Sequence, residues 1–175
     1  MSKQWIKRIV ANADVPPSEL VGHDRNFRLH PDAQKAALAG VIEDIGFIKS
    51  VIVNQRTGRI IDGHLRVNLA LESGQETIPV EYVDLTEAEE LEALATLDPL
   101  TTLAEVDAAQ LDALLRDVET EQEAVQSLLA DLAASNPLPE TGSAEAPQEF
   151  SEYGEDIATE YCCPKCGYQW SGKPG

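Results

Sequence analysis

The stretch RIIDGHLRVNLALESG, Arg59–Gly74, passes from an apolar, strand-like run through Asp62-Gly63 straight into residues with helical spacing. A glycine at such a junction takes backbone angles that other residues avoid and lets neighbouring atoms approach closely. The helix that follows is expected from about Leu65 to Glu72, closed by Gly74. Its first turn exposes roughly four unpaired backbone N–H groups and about half a positive charge, which suits a phosphate. Arg66 can fold back toward the same anion and bind it through two N–H groups. Asp62 can cap the helix or hold a metal ion. His64, with an ordinary pKa near about 6.5, can donate to a phosphate, act as a general acid, or simply hydrogen-bond the turn. On these residues alone the stretch is either a capped helix start or a phosphate cradle.

Outward from it, SVIVN and RII flank a turn at Thr57-Gly58 and read as a strand pair. Upstream, Ile6 to Val10 is a short strand stopped by Pro16-Pro17. HPDAQKAALAGVIEDIG is a helix, with Pro31 in its first turn, Leu38, Val41, Ile42 and Ile45 at helical spacing, and Gly46 at its end. Downstream, IPVEYVDL is a strand with Ile78, Val80 and Tyr82 on one face. From Thr86 the period becomes helical, and Thr86 with Glu89, Asp107 with Gln110, and Thr120 with Glu123 have the spacing of capping boxes. The apolar sets behind them, such as Leu111, Leu114, Leu115 and Val118, then Val125, Leu128, Leu129 and Leu132, predict amphipathic helices packed on the domain or on a partner. The segment after Ser135 has the Pro, Ser, Gly and acidic content of a flexible linker.

Charge divides the chain. Met1 to Tyr82 balances ten basic against ten acidic residues, whereas Val83 to Glu160 sets one basic residue, Arg116, against twenty-one acidic ones. A phosphate-binding surface therefore belongs to the first half, because the second would repel a duplex backbone. With 175 residues, 43% of them hydrophobic, the chain can bury one core and carry appendages. No apolar run approaches the roughly 20 residues of a membrane span, and the N-terminal stretch lacks the pattern of a secretion signal. The expectation is a soluble, cytoplasmic protein with no membrane partner.

The three cysteines, Cys162, Cys163 and Cys166, crowd into YCCPKCGYQW near the C-terminus. An odd number in one place is no disulfide framework, and it fits a reducing compartment. Cys163-Pro-Lys-Cys166-Gly167 has the shape of a zinc knuckle, in which a tight turn aims two thiolates at one ion. Cys162, Cys163 and Cys166 are thus candidate Zn2+ ligands, short of a full tetrahedral set. The remaining ligands would come from a second copy of the tail, from His23, His30 or His64, or not at all.

The run from Val10 to about Asp98 resembles the N-terminal domain of ParB, a fold shared with sulfiredoxin. The resemblance is carried by NFRLHP (Asn26–Pro31), IEDIGFIKSVIVN (Ile42–Asn54), IIDGHLRVNLALESG (Ile60–Gly74) and IPVEYVDL (Ile78–Leu85), in that order. It implies an α+β fold, a small mixed sheet with helices, followed here by acidic α-helices, a disordered linker and a Cys-rich tail. It also implies a nucleotide, CTP or ATP with Mg2+, bound at Gly63, His64, Leu65 and Arg66, with Asn26 and Arg28 from the NFR segment beside it. Arg28 otherwise reads as a loop arginine paired with Asp24 or Asp32. ParB carries a glutamate after the glycine of this box and sulfiredoxin a nucleophilic cysteine, whereas this chain has His64, which argues against sulfiredoxin chemistry. The acidic helices after Thr86 offer no basic recognition helix, so the chain resembles instead the ParB-like proteins of phage and mobile elements.

The expected organisation is a nucleotide-binding domain over 1–98, an acidic helical extension over 99–134, a linker over 135–160 and a zinc-knuckle-like tail over 161–175. Three functions fit. The first is a nucleotide-binding protein in a DNA-related process such as DNA modification, partition or regulation. The second is an NTPase or metal-dependent nuclease, in which Asp62 and His64 would be catalytic and Glu43 or Asp84 would supply a second carboxylate. The third is an adaptor for a DNA methyltransferase or another DNA enzyme. A homodimer is a further expected partner state.

Overall fold

The computed structural model describes residues 4–138 and 161–171. The chain divides into two compact units, 1–139 and 140–175. The linker expected over 135–160 falls mostly outside the described residues.

The first unit is built on a four-stranded mixed sheet in the order β1-β4-β2-β3. β1 (Ile9–Val15) starts three residues later than its sequence suggests and runs to the Pro16-Pro17 stop as an exposed edge strand, antiparallel to β4 (Ile78–Val83). β4 runs parallel to β2 (Val51–Asn54), and β2 turns back through Gly58 into antiparallel β3 (Ile60–Asp62), as the hairpin reading requires. The core lies where these strands meet α2 (His64–Glu72): Val51, Val53, Ile60, Val67, Ala70, Ile78 and Val80 form one buried cluster. Tyr82 packs against it from the face it shares with Ile78 and Val80.

α1 (Asp32–Ile45) ends at Gly46, whose φ of 81° needs a glycine. Its buried residues are Ala37 and Gly40, not the larger apolar set, and Ile45 is largely exposed. The reason is α5 (Glu123–Ser135), which crosses α1 so closely that a Cβ on Gly40 would lie 2.9 Å from Val125 Cγ2. α3 (Glu87–Thr102) opens with the expected capping box: Thr86 Oγ1 accepts from Glu89 N and the Glu89 carboxylate from Thr86 N. Asp107 caps α4 (Ala108–Asp117) by accepting from the N–H groups of Ala109 and Gln110. The third box does not form. α5 begins after Gln122, and Thr120 instead donates to Asp44 of α1, which ties the approach to α5 down. Among the described residues no helix is long and apolar enough to cross a membrane.

Inside this unit lies a buried polar network that no local motif announces. Glu90 of α3 is 2% exposed, and its carboxylate accepts from Thr57 Oγ1 and from the side-chain amide of Asn54. Its other oxygen lies 3.1 Å from His23 Nε2. Asn54, itself fully buried, also bonds both backbone groups of Leu85. A buried carboxylate is costly unless paired, and here its partners clamp α3 to the β2–β3 turn and to the loop before α1.

The second unit, as described, is a hairpin of β5 (Tyr161–Cys162) and β6 (Gln169–Trp170). Its turn is closed by bonds from Cys163 N to Tyr168 O and from Gly167 N to Cys163 O, with Gly167 at a φ of 77°.

Candidate nucleotide-binding site

Asp62 ends β3 and Gly63 caps α2 with a φ of 101°. Any side chain at Gly63 would be strained by that angle and would also meet Arg66 Nη2 at 3.0 Å and the Val51 backbone at 3.2 Å. No side chain caps α2, whose first backbone bond runs from Val67 N to Gly63 O. The N–H groups ahead of Val67 are therefore without partners inside the helix. Asp62 is not the helix cap. Its carboxylate, 10% exposed, is ringed by cations: Lys49 Nζ at 2.9 Å, Arg66 Nη2 at 3.0 Å and Arg28 Nη1 at 3.7 Å. Burial alone would raise its pKa, but the hydrogen bond from Lys49 and the charges of Arg66 and Lys49 outweigh burial and hold it below the usual carboxylate range.

Arg28 is paired neither with Asp24 nor with Asp32. Its guanidinium bonds Asp98 of α3, and its Nη2 lies 3.5 Å from Leu94 O. Asp24 pairs with Arg59 and Asp32 with Lys35. Asn26 holds the Arg28 backbone, its side-chain oxygen accepting from Arg28 N at 3.3 Å, and does not line the cleft. His64 accepts from the backbone N–H of His23 through Nε2, 3.1 Å away. The pKa of His64 is lowered by burial first and then by the charges of Arg28 and His23, so the ring is neutral near pH 7. With Nε2 accepting, the neutral ring carries its proton on Nδ1. That buried nitrogen has no hydrogen-bond partner among the described residues.

These residues form one wall of a cleft of about 770 Å³. Arg28, Lys49, Asp62, His64, Arg66, Asp98 and Asp131 bring charged and polar groups to it, while Ala37, Leu38 and Val41 of α1 and Leu128 of α5 bring apolar ones. The junction read from the sequence, Gly63, His64, Leu65 and Arg66, is thus gathered with Arg28 on one surface. Lys49, Asp98 and the α5 wall join it without having been foreseen. Lys49 stands two residues before β2, and only the pairing of β2 with β3 brings it to Asp62. The carboxylates named for a metal do not gather: Glu43 lines a separate pocket on the far side of α1, and Asp84 pairs with Arg56. Asp62 itself is held by three cations, which leaves it a poor ligand for a directly bound Mg2+.

In the tail, the N–H groups of Lys165 and Cys166 hydrogen-bond the Cys163 sulfur and, with the Cys166 thiol, lower its pKa. The Cys162 sulfur turns toward the carbonyls of Gly167 and Cys163, at 3.8 and 4.0 Å. Among the described residues no three His, Cys, Asp or Glu side chains gather as a metal group.

No family model and no curated protein matches the sequence. Among solved structures, the chain is similar to the C-terminally truncated chromosome-partitioning protein ParB from Caulobacter crescentus, a structure complexed with CTP-γ-S. The TM-score is 0.51 at 18% identity, over 69% of this chain and 71% of that one. Two structures of the N-domain of a pNOB8-like ParB align with TM-scores of 0.47 and 0.45, at 16% and 15% identity over 75% and 76% of this chain and 50% and 48% of theirs.

Proposed function

The chain has the fold of the ParB N-terminal domain, and from that premise we propose that it binds a nucleotide, CTP or ATP, in a DNA-related process. The phosphates would sit at the start of α2 and the base and sugar against the apolar groups of the cleft. The observation that carries the reading is the convergence of Lys49, Arg66 and Arg28 on one nearly buried carboxylate beside a helix start with no side-chain cap. Three cations crowd one carboxylate, with Asp98 on Arg28 as well, and among the described residues the buried Arg66 Nε and His64 Nδ1 have no hydrogen-bond partner. An oxyanion entering the cleft would satisfy both. We place the nucleotide-binding part in residues 1–98, with 99–134 supplying a second wall through α5, and treat 161–175 as a separate tail. Any magnesium would arrive on the triphosphate, and we assign it no protein ligand.

Calorimetric titration with CTP, ATP, GTP and ADP, beside the Arg66→Ala variant, tests this. One nucleotide should bind selectively, and Arg66→Ala should lose at least about tenfold in affinity, or about 1.4 kcal/mol, with unchanged helical circular dichroism. Equal affinities in both proteins would sink the proposal. The nuclease reading draws less from the geometry, because Asp62 is already neutralised and Glu43 and Asp84, the carboxylates named to join it, lie elsewhere. The adaptor reading draws on the acidic helices.

A further inference from the structure

We propose that Cys163 and Cys166 are half of a tetrahedral site for a soft divalent cation of the zinc class, and that a second copy of this chain supplies the other half. This inference stands apart from the nucleotide site. Tetrahedral structural zinc takes four nitrogen or sulfur ligands, each thiol giving up its proton to solvent as the metal–sulfur bond forms. The hairpin turn provides two. It is closed by the Cys163–Tyr168 and Gly167–Cys163 backbone bonds, and the N–H groups of Lys165 and Cys166 point at the Cys163 sulfur. This is the arrangement of a loop that holds a thiolate and keeps it aimed.

The chain has few other soft ligands to add. It holds three cysteines and three histidines in all. Cys162 is turned toward two carbonyls and does not gather with the other two sulfurs. His23 is buried with Nδ1 accepting from Arg25 N and Nε2 facing Glu90, and His64 spends Nε2 on the His23 backbone. His30 bonds Gln34 through Nδ1 only, and one zinc per monomeric chain would be the sign that its Nε2 ligates in place of a second copy. A second copy, related by a twofold axis, brings an identical pair of thiols and completes four.

The hairpin's own economy points the same way. A lone two-stranded sheet is marginal in water, and small units of this kind rely on a metal or an oligomer. β5 and β6 carry an aromatic stack, Tyr161 over Trp170 at 5.9 Å between ring centres and Trp170 over Tyr168 at 6.2 Å. Tyr168 is 69% exposed and Tyr161 39%. An exposed aromatic face beside an incomplete metal site fits a matching face on the second copy.

The test uses the full chain, purified under reducing conditions and titrated with zinc alone. Metal analysis should give about one zinc per two chains, and light scattering should give a dimer that falls to half its mass with a chelator. Cobalt in place of zinc should give the visible bands of a tetrahedral thiolate site. Cys163→Ser and Cys166→Ser should each lose metal and dimer together, and Cys162→Ser should keep both. Helical circular dichroism of the variants reports that the first unit still folds. Three results would overturn the proposal: one zinc per monomeric chain, a dimer that ignores chelator and both serine variants, or no zinc taken up by reduced protein.

Discussion

Single residues decide whether the cleft can exist. Gly63 combines a left-handed φ with contacts that leave no room for a Cβ. Gly63→Ala should therefore cost about 1–3 kcal/mol and weaken nucleotide binding with it, which urea unfolding and calorimetry would read together; an unchanged unfolding midpoint would contradict the strain. His64 sets a pH dependence. Its pKa is lowered in the folded chain, so as pH falls below about 6.5 the unfolded chain takes up a proton that the folded chain refuses. Stability is then lost as pH falls from about 6.5 through the lowered folded pKa, and none of this loss is present above that range. Urea unfolding on both sides of about pH 6.5 should show a shallower loss for His64→Gln than for the parent, and equal slopes would rule the assignment out. The sequence disclosed Gly63, His64 and Arg66 because they share one local motif, strand, glycine and helix start. Lys49 and Asp98 were silent because their partners stand 13 and 70 residues away along the chain, at Asp62 and Arg28.

At the scale of elements, periodicity predicted the four strands and five α-helices of the first unit, each fixed by local apolar spacing and its stops, but not the β5–β6 hairpin. It missed how the helices meet. α1 shows its large apolar residues to the sequence reader, yet it buries Ala37 and Gly40, because only small side chains let α5 come within 2.9 Å of a would-be Cβ. The start of α5 was misplaced for a related reason: Thr120 finds Asp44 of α1 before it finds a helix of its own to cap. α3 matters most to the site, because Glu90 and Asp98 fasten it to the loop that carries Arg28. Asp98 competes with any incoming phosphate for that guanidinium. Its side chain is about half exposed, so the pair is worth at most about 1 kcal/mol. Asp98→Asn should then raise nucleotide affinity by up to about fivefold, measured by calorimetry beside the parent. An unchanged or lower affinity would mean that Arg28 does not turn toward the ligand.

For the whole molecule, the separation of charge limits what the nucleotide site can serve. The first half is electrically balanced and holds the three cations of the cleft, all of them already facing Asp62. Among the helices after Thr86, the single basic residue, Arg116, is paired with Asp112. A duplex is bound without sequence preference by cations that displace its counterions, each phosphate contact adding about 0.9 to the salt slope. Among the described residues no such row stands on the helices after Thr86, and their acidic surface repels the backbone. Any tie to DNA, as proposed above, should therefore run through a partner with a basic surface, which the acidic helices of 99–134 would complement. The expected outcome in a retardation assay is no binding to duplex DNA at physiological salt up to about 10⁻⁴ M, the weak end of ordinary non-specific affinity, with or without the selected nucleotide. Lowering the salt should change little, since few counterions would be released. Binding that steepens as salt falls would instead show a cationic surface at work and would make direct contact with DNA the function of the chain. No such binding, together with a nucleotide-dependent complex between this chain and a basic protein, would place the acidic helices as the side that meets the partner and the cleft as the side that times the meeting.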